Sequence, residues 1–245
     1  MPRFFIDEIV TPEGTAVISG ADFHHMKHVL SIRTGDTFEL CDAAAVTYTM
    51  TVEAIREDEL VARADAGRVR ETESPLAITV YQGIPKADKM DRLIRQCVEL
   101  GASRVVPVAM DHCVVKLDRK RARKRAERWQ AIAESAAKQC GRNRIPEVSE
   151  PVTTETALAD IAAADFGFIP YEQSDDVSVK DLLIGKDFTD KTLAFLIGPE
   201  GGISADEAAR AEALGIPMIT LGPRILRTET AAPAVLAMLT LLTEL

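Results

Sequence analysis

Two short loops in the C-terminal part of the chain combine glycine, proline and charged residues at close spacing. The first is Leu196–Gly202, Leu-Ile-Gly-Pro-Glu-Gly-Gly, and the second is Leu221–Thr228, Leu-Gly-Pro-Arg-Ile-Leu-Arg-Thr. Glycine lets backbone N–H and C=O groups approach a ligand without a Cβ in the way. Neither loop has the G-x-x-x-x-G-K-[ST] or G-x-G-x-x-G pattern that binds nucleotide phosphates. Backbone groups of this kind suit the adenine edge of a nucleoside that carries no triphosphate.

Charged side chains accompany both loops and indicate the candidate chemistry. Glu200 lies in the first loop, Arg227 lies in the second, and Glu229 follows it closely. A positioned carboxylate can accept a proton, and an arginine can stabilise a developing negative charge. The alternative is that both loops are only tight turns that precede helices. The occurrence of two such loops beside these charged residues favours a binding site.

An apolar run precedes each loop, and a helix start follows it. Thr192–Ile197 and Ile216–Leu221 are predicted to be buried strands. Ser204 with Glu207 three residues later has the spacing of a capping box, and Thr228 is a second predicted helix start. Two consecutive strand–loop–helix units bring both loops to the carboxyl ends of neighbouring parallel strands, where open α/β sheets bind ligands.

Composition limits the classes of function. The chain has 245 residues, of which 47% are hydrophobic, and a formal net charge of -9, so nucleic-acid binding would need a local basic patch. Aromatic residues make up only 5%, which disfavours an aromatic stacking platform for single-stranded RNA. The four cysteines are widely spaced, and three of the four histidines cluster at residues 24–28 with His112 far away, which predicts reduced thiols and no metal site. The sequence has no signal-peptide pattern and no bilayer-spanning apolar run, so we expect a cytoplasmic protein.

The pattern of elements changes near residue 73. Residues 1–72 contain several short candidate strands with turn signals, which predicts a small β-barrel. The polar segment Arg70–Ser74, followed by proline, predicts an extended joint. Beyond it, a strand, an amphipathic helix over Lys86–Leu100 and a second strand form a βαβ unit. This unit indicates an α/β domain with a mostly parallel sheet over residues 73–245.

The most basic stretch of the sequence is Lys116–Arg128. Its eight Lys and Arg residues against one Asp and one Glu leave a charge of +6 in an otherwise acidic chain. The usual meaning of such a run is a solvated helix face. The contrast with the rest of the chain favours contact with RNA phosphates, which would position a substrate without reading its sequence.

The motifs Ile197–Gly202 (I-G-P-E-G-G) and Leu221–Ala231 (L-G-P-R-I-L-R-T-E-T-A) resemble those of the RsmE-type 16S rRNA uracil-N3 methyltransferases of the SPOUT superfamily. Pro2–Phe5 and His24–Leu30 are similar to the opening pattern of that family, and Arg142 matches its Gln-x-x-Arg pattern. The resemblance implies a SPOUT-type, mostly parallel α/β sheet with a C-terminal trefoil knot, preceded by a small PUA-like β-barrel that binds RNA. It also implies S-adenosylmethionine-dependent methylation of N3 of a uridine in the decoding region, near the 3′ end of 16S rRNA, by a homodimer acting on the small ribosomal subunit.

The resemblance, together with the charge of Lys116–Arg128, assigns the site residues to three groups. The expected catalytic residues are Glu200, Arg142 and Arg227. The expected cofactor-binding residues are Leu196, Ile197, Gly198, Pro199, Glu200, Gly201, Gly202, Leu221, Gly222, Ile225, Leu226, Arg227 and Thr228. The expected RNA-binding residues are Arg3, His25, Lys116, Arg119, Lys120, Arg121, Arg123, Lys124 and Arg142.

Several roles stay open at this level. Glu200 either accepts the N3 proton or caps nearby N–H groups, with a small preference for the second. Arg142 has two alternative roles. It lies near the target base or the partner subunit, or it forms hydrogen bonds with the last carbonyl groups of its helix. Arg227 either stabilises the uracil anion or pairs with Glu229 or Glu200. Thr228 is expected to cap a helix rather than to act in catalysis.

Three other functions compete with this interpretation. One is a SPOUT methyltransferase that acts on tRNA or on a ribose 2′-hydroxyl. Another is a catalytically silent rRNA-binding assembly factor, which the intact loops disfavour. The third is a dinucleotide-dependent oxidoreductase, which the missing glycine fingerprint disfavours.

Overall fold

The structure is a computed structural model that describes residues 1–11, 13–68, 72–174 and 177–244. Within them the chain separates into two compact units. The N-terminal unit comprises Met1–Glu73 and Lys138–Arg144, and the C-terminal unit comprises Ser74–Ala137 and Ile145–Leu245. Positions 70 and 71 of the predicted joint Arg70–Ser74 lie outside the described residues.

Five strands form the sheet of the N-terminal unit, in the order β1-β3-β4-β5-β2. They are β1 Arg3–Phe5, β2 Thr15–Ser19, β3 Thr37–Cys41, β4 Thr47–Ile55 and β5 Glu59–Arg68. β1 pairs with β3 in parallel, and the other neighbours pair antiparallel. Helix α1, Gly20–His24, continues as a π-helical segment over His25–Val29. Phe23 and Met26 of this helical stretch pack with the apolar side chains of the sheet in one buried core.

The C-terminal unit contains a parallel sheet with helices between its strands. The strands are β6 Ala77–Gly83, β7 Arg104–Ala109, β8 Glu147–Val148, β9 Val152–Thr153, β10 Phe166–Pro170, β11 Thr192–Ile197 and β12 Met218–Ile219. The helices are α2 Lys89–Glu99, α3 Arg119–Cys140, α4 Thr154–Ala163, α5 Val179–Leu183, α6 Ala205–Ala213 and α7 Thr228–Thr243, of which α3 ends in the N-terminal unit. All pairings between these strands are parallel, which confirms the predicted α/β class. The trefoil knot stays a prediction.

The strand order corrects one prediction about the two loops. The order is β12-β10-β11-β6-β7-β8, so β10 lies between β11 and β12. The loops therefore leave strands that are not neighbours, and the carboxyl end of β10 lies between them. The second predicted strand, Ile216–Leu221, is also shorter than expected, since only Met218–Ile219 forms it.

Two helix starts follow the sequence signals, whereas α2 begins at Lys89, three residues after the predicted start at Lys86. Ser204 and Glu207 form the predicted capping box, in which each side chain bonds the backbone N–H of the other residue. Helix α7 begins at Thr228 as expected. Helix α2 buries Met90 and Leu93 on the apolar face that its spacing predicts. In the part of the chain that the structure describes, none of the helices combines the length and apolar character needed to cross a membrane.

Candidate functional site

A cavity of about 530 Å³ opens at the carboxyl ends of β10, β11 and β12 in the C-terminal unit. Its volume lies within the range typical of small-molecule sites. The wall consists of Lys89 and Ala231 with residues 170–172, 197–203 and 220–229. Twelve of the thirteen expected cofactor-binding residues line it. Leu196 does not, because its side chain is fully buried within the apolar core beneath the sheet edge.

Close backbone packing explains the glycines of the first loop. Gly202 N–H donates to Pro199 O at 3.0 Å, and Gly202 has φ +73°, a left-handed value that favours glycine. A Cβ on Gly201 would lie 2.8 Å from the Cβ of His112. On the same side, His112 Nδ1 lies 3.3 Å from Gly202 O. The loop is therefore supported by His112 on one side, and its residues form part of the cavity wall.

The second loop is joined to the first by a hydroxyl group. Thr228 is 7% exposed, and its Oγ1 donates to Gly198 O at 2.7 Å. The predicted capping role of Thr228 is therefore wrong: Arg227 occupies the N-cap position of α7, and its side chain makes no capping hydrogen bond. The hydroxyl instead connects the start of α7 to the end of β11.

Lys89 neutralises the two glutamates of the cavity that the sequence singled out. Its Nζ lies 3.0 Å from Glu200 Oε1 and 3.4 Å from Glu229 Oε2. The backbone N–H of Lys86 donates to the same Glu200 oxygen at 3.1 Å. Burial raises the pKa of Glu200, but the hydrogen bonds from Lys89 and from backbone N–H groups outweigh it and hold the pKa below its ordinary value. Glu200 is therefore a stable carboxylate that anchors the first loop to α2.

Two arginines of the second loop are available for a ligand. Arg224 and Arg227 line the cavity and are exposed, and among the described residues neither guanidinium has a hydrogen-bond or ion-pair partner. The pairings of Arg227 with Glu229 or Glu200 considered from the sequence are not formed, since Lys89 takes both carboxylates. Ile225, between the two arginines, is 82% exposed.

Glu172 is a wall residue that the sequence reasoning missed. It follows β10, whose position between the two loop-bearing strands no local pattern reveals. A Cβ on Gly202 would lie 3.1 Å from Glu172 Oε1, so this carboxylate lies directly over the first loop. Among the described residues it has no ion-pair partner, in contrast to Glu200 and Glu229. Lys89 was also not assigned to the site, although it opens α2 beside both loops.

Two of the expected functional arginines are buried in the N-terminal unit. Arg142 is 6% exposed, and its Nη2 lies 2.5 Å from Glu73 Oε2. Arg3 is 7% exposed, and its Nη2 donates to Asn143 Oδ1 at 2.6 Å and to Thr47 Oγ1 at 2.9 Å. Both guanidinium groups are thus engaged within the unit, and contact with RNA or with a target base would require these bonds to open.

The Glu73–Arg142 pair predicts a pH dependence of stability. Burial raises the pKa of Glu73, but hydrogen bonding and charge attraction from Arg142 outweigh it, so the folded-state pKa lies below the ordinary 4.5. A lowered folded-state pKa gives stabilisation that is complete above the unfolded value and is lost as the pH falls through the folded value. We expect Glu73→Gln to lower the free energy of unfolding by about 2 kcal/mol at pH 7, because the ion pair with Arg142 and its charged hydrogen bonds are lost.

Urea denaturation of the wild type and of Glu73→Gln between pH 7 and pH 3 measures this effect. The difference between the two proteins should shrink as the pH falls below 4.5. A difference that stays constant over this range would contradict the assignment of the pair.

The remaining expected RNA-binding residues are exposed. His25 lies in the π-helical segment of the N-terminal unit, and its ring lies 6.2 Å from that of Phe4. The others precede or belong to the first turns of α3 in the C-terminal unit: Lys116, Arg119, Lys120, Arg121, Arg123 and Lys124. Arg121 pairs with Asp118 and Arg123 with Glu127, both at the surface. The helix is held by its other face, where Trp129 Nε1 donates to Asp91 and lies buried.

Comparisons with known proteins agree with this geometry. Residues 72–240 match the model of a family described as an RNA methyltransferase domain. The chain is 30% identical over 251 residues to the ribosomal RNA small subunit methyltransferase E of Bacillus subtilis, covering 100% of this chain and 98% of that protein. The crystal structure of the ribosomal RNA small subunit methyltransferase E of Neisseria gonorrhoeae bound to S-adenosyl methionine is similar at 31% identity and a TM-score of 0.86, covering 99% and 98% of the two chains. A Legionella pneumophila methyltransferase in complex with the same cofactor is 28% identical, with a TM-score of 0.86 and coverage of 98% and 96%.

Proposed function

This chain belongs to the RNA methyltransferase family, among the ribosomal RNA small subunit methyltransferase E proteins, and from this premise we propose that it methylates N3 of a uridine near the 3′ end of 16S rRNA. The methyl donor is S-adenosylmethionine, and the substrate is the decoding region of the small ribosomal subunit. The cytoplasmic location and the homodimer that the sequence resemblance implies belong to the same proposal. The single observation that carries the proposal is the cavity between the two glycine loops, with its free arginines.

The residues of the cavity fit the cofactor. The glycines Gly198, Gly201 and Gly202 let the first loop pack closely in the cavity wall, and Ile197 and Leu226 provide apolar wall for an adenine ring. Glu172, which lies over the first loop without a cationic partner among the described residues, is a suitable acceptor for the two ribose hydroxyls. Acidic residues take this role in other nucleoside sites of α/β proteins. When bound, the cofactor supplies an electrophilic methyl group on a positively charged sulfur.

Arg227 is the residue that we assign to the charge of the reacting base. Uracil N3 becomes a nucleophile only when it loses its proton, and the resulting negative charge spreads onto the two ring carbonyl oxygens. An arginine already aimed into the site stabilises that charge without reorganisation. Arg227 is exposed to the cavity and has no ion-pair partner among the described residues, whereas Arg142 is engaged by Glu73. We therefore assign Arg142 no direct contact with the reacting base while its ion pair with Glu73 is formed.

Glu200 is proposed to hold the first loop rather than to take the N3 proton. A carboxylate whose pKa lies below its ordinary value is a weak base, and Lys89 and Lys86 already occupy Glu200 Oε1. We expect Glu200→Gln to weaken cofactor binding about threefold to tenfold, through loss of one charged hydrogen bond, while kcat stays within about threefold. Isothermal titration calorimetry and single-turnover methylation measure the two effects. A fall in kcat of a hundredfold or more would assign the base role to Glu200.

The decisive experiment identifies the methylated nucleoside. The protein is incubated with S-adenosylmethionine carrying a labelled methyl group and with small subunits from cells that lack this modification. The RNA is then digested, and the nucleosides are separated and identified by mass spectrometry. The expected product is labelled 3-methyluridine from the 3′ region of 16S rRNA. A different methylated nucleoside would overturn the substrate assignment, and cofactor binding without methylation of subunits, free rRNA or tRNA would favour a binding factor.

The basic start of α3 is proposed to contact RNA phosphates. Lys120 and Lys124 are exposed one helical turn apart, and neither has an ion-pair partner in the described part of the chain. We expect the double substitution Lys120→Glu and Lys124→Glu to weaken binding to small subunits at least tenfold. The slope of log affinity against log salt should become shallower by about 1.5, while cofactor affinity stays unchanged.

A control with the same charge change is available at two exposed lysines elsewhere in the C-terminal unit. Lys180→Glu with Lys186→Glu should leave the salt slope at its wild-type value. Equal effects of the two double substitutions would mean that net charge, not this helix face, governs RNA binding.

A further inference from the structure

Gln82 is a fully buried amide directly behind the candidate site. It lies near the carboxyl end of β6, is 0% exposed, and faces Ile197 of β11 across the sheet. The residues opposite Gln82 in the two neighbouring strands, Ile197 of β11 and Pro107 of β7, are apolar. Burial of an amide in such a place is unfavourable unless its polar atoms are bonded, so the residue requires an explanation.

The amide nitrogen of Gln82 connects three segments. Nε2 donates to Thr228 Oγ1 at 2.8 Å and to Gly83 O at 2.9 Å, and Gly198 O lies 3.4 Å away. Thr228 Oγ1 in turn donates its single proton to Gly198 O. The hydroxyl can therefore only accept from Gln82, which fixes the direction of the whole chain of hydrogen bonds. The end of β6, the first loop and the start of α7 are joined at this point.

The other atom of the same amide is unsatisfied. Gln82 Oε1 is buried and has no hydrogen-bond partner within the described residues. The opposite amide orientation would turn this oxygen toward the carbonyl oxygens of Gly83 and Gly198, so it is disfavoured. In this orientation Gln82 Oε1 stays without a hydrogen bond, while Gln82 Nε2 keeps its hydrogen bonds to Thr228 and Gly83. A residue selected only for core stability would be apolar here, since an apolar side chain of the same shape leaves no unpaired group.

We propose that Gln82 is a positioning residue for methyl transfer, which holds the two cofactor loops in register through Thr228. This inference rests on the proposed function of the cavity. Arg227 directly precedes Thr228, so the position of its side chain at the start of α7 depends on the same hydrogen bonds. Loss of the amide lets the second loop shift relative to Gly198. Cofactor affinity then falls about tenfold, and kcat falls further because Arg227 is no longer aligned with the base.

The test uses a double-mutant cycle on the full chain. Gln82→Met removes the amide with an unbranched side chain of similar volume, and Thr228→Val removes the hydroxyl with a side chain of the same shape. Three quantities are measured for both single variants and for the double variant. They are the affinity for S-adenosylmethionine by calorimetry, kcat for methylation of small subunits, and the unfolding midpoint in urea. Both substitutions remove the hydrogen bond between Gln82 and Thr228. The double variant should therefore lose no more cofactor affinity or kcat than the more impaired of the two single variants. The unfolding midpoint of Gln82→Met should change little, because Thr228 Oγ1 still donates to Gly198 O, and this separates positioning from a merely structural role.

Gln96→Met is the matched control. Gln96 lies on α2 in the same unit, and its Oε1 is also buried without a partner among the described residues. Its substitution should leave cofactor affinity and kcat unchanged. Wild-type affinity and kcat in either Gln82→Met or Thr228→Val, or additive losses in the double variant, would overturn the inference. Should Gln82→Met not fold, Thr228→Val alone decides between these outcomes. A wild-type protein that does not bind S-adenosylmethionine would overturn the proposed function and this inference together.

Discussion

Replacing Arg227 with alanine is expected to lower kcat for uridine methylation by about 10²- to 10³-fold, with cofactor affinity within about threefold of the wild type. The reason is that the reaction concentrates negative charge on the uracil ring before the methyl group transfers. Arg227 lines the cavity, is exposed, and forms no ion pair among the described residues, whereas Lys89 binds both Glu200 and Glu229. An interaction that is stronger in the transition state than in the ground state changes kcat rather than KM.

Arg224→Ala is the control for general attraction of RNA. It removes the same charge from the same loop, three residues earlier, and is expected to raise KM for small subunits while leaving kcat within a few-fold of wild type. Steady-state kinetics with saturating S-adenosylmethionine separate the two cases. If Arg227→Ala also changes only KM, its role is substrate binding and the assignment to the reacting base fails.

Replacing Gly83 with alanine is expected to weaken S-adenosylmethionine binding by a hundredfold or more in a protein that still folds. A Cβ at this position would lie 2.6 Å from Pro199 Cδ, 2.7 Å from Pro199 N and 2.8 Å from Met110 Sδ. The flexible methionine can move aside, but Pro199 is part of the rigid first loop, so the loop itself must shift. A displacement of about 1 Å at a site of this kind is enough to misplace its hydrogen-bonding groups.

Gly215→Ala provides the comparison for stability alone. Gly215 has φ +71°, and a Cβ at this position would have nothing within 4 Å, so the substitution strains the backbone without touching the site. It should lower the melting temperature and leave cofactor affinity unchanged, as measured by thermal unfolding and calorimetry. Equal losses of affinity in the two variants would show that stability, not loop position, controls binding.

The sequence predicted local elements well because their signals are local. The bounds of β11, Thr192–Ile197, the capping box at Ser204 and Glu207, and the start of α7 at Thr228 all depend on residues within a few positions of one another. The two loops were found for the same reason, since glycine and proline mark turns wherever they occur. The family resemblance extended these elements to the correct fold class, because a long motif fixes the connectivity that periodicity leaves open.

The predictions that failed concern relations between distant segments. Strand periodicity indicates that β10 exists but not that it lies between β11 and β12, so Glu172 was missed as a wall residue. Charge is visible in a sequence, whereas burial is not, so the sequence did not reveal that Arg3 and Arg142 are buried in the N-terminal unit, and their contact with RNA stays a prediction. The hydroxyl of Thr228 was assigned to its own helix because Gly198, its acceptor, is thirty residues away.

The segment Lys138–Arg144 has a consequence for how this protein can be divided. It is separated by more than sixty residues from the rest of the N-terminal unit, yet it supplies Asn143 to Arg3 and Arg142 to Glu73. A fragment ending at residue 73 would lose the hydrogen bond of Arg3 to Asn143 and the ion pair of Glu73 with Arg142, so we expect it to be less stable than the intact unit. Exchange of the first seventy residues alone between related proteins would separate them from the heptapeptide Lys138–Arg144, which lies far downstream in the chain and completes their unit.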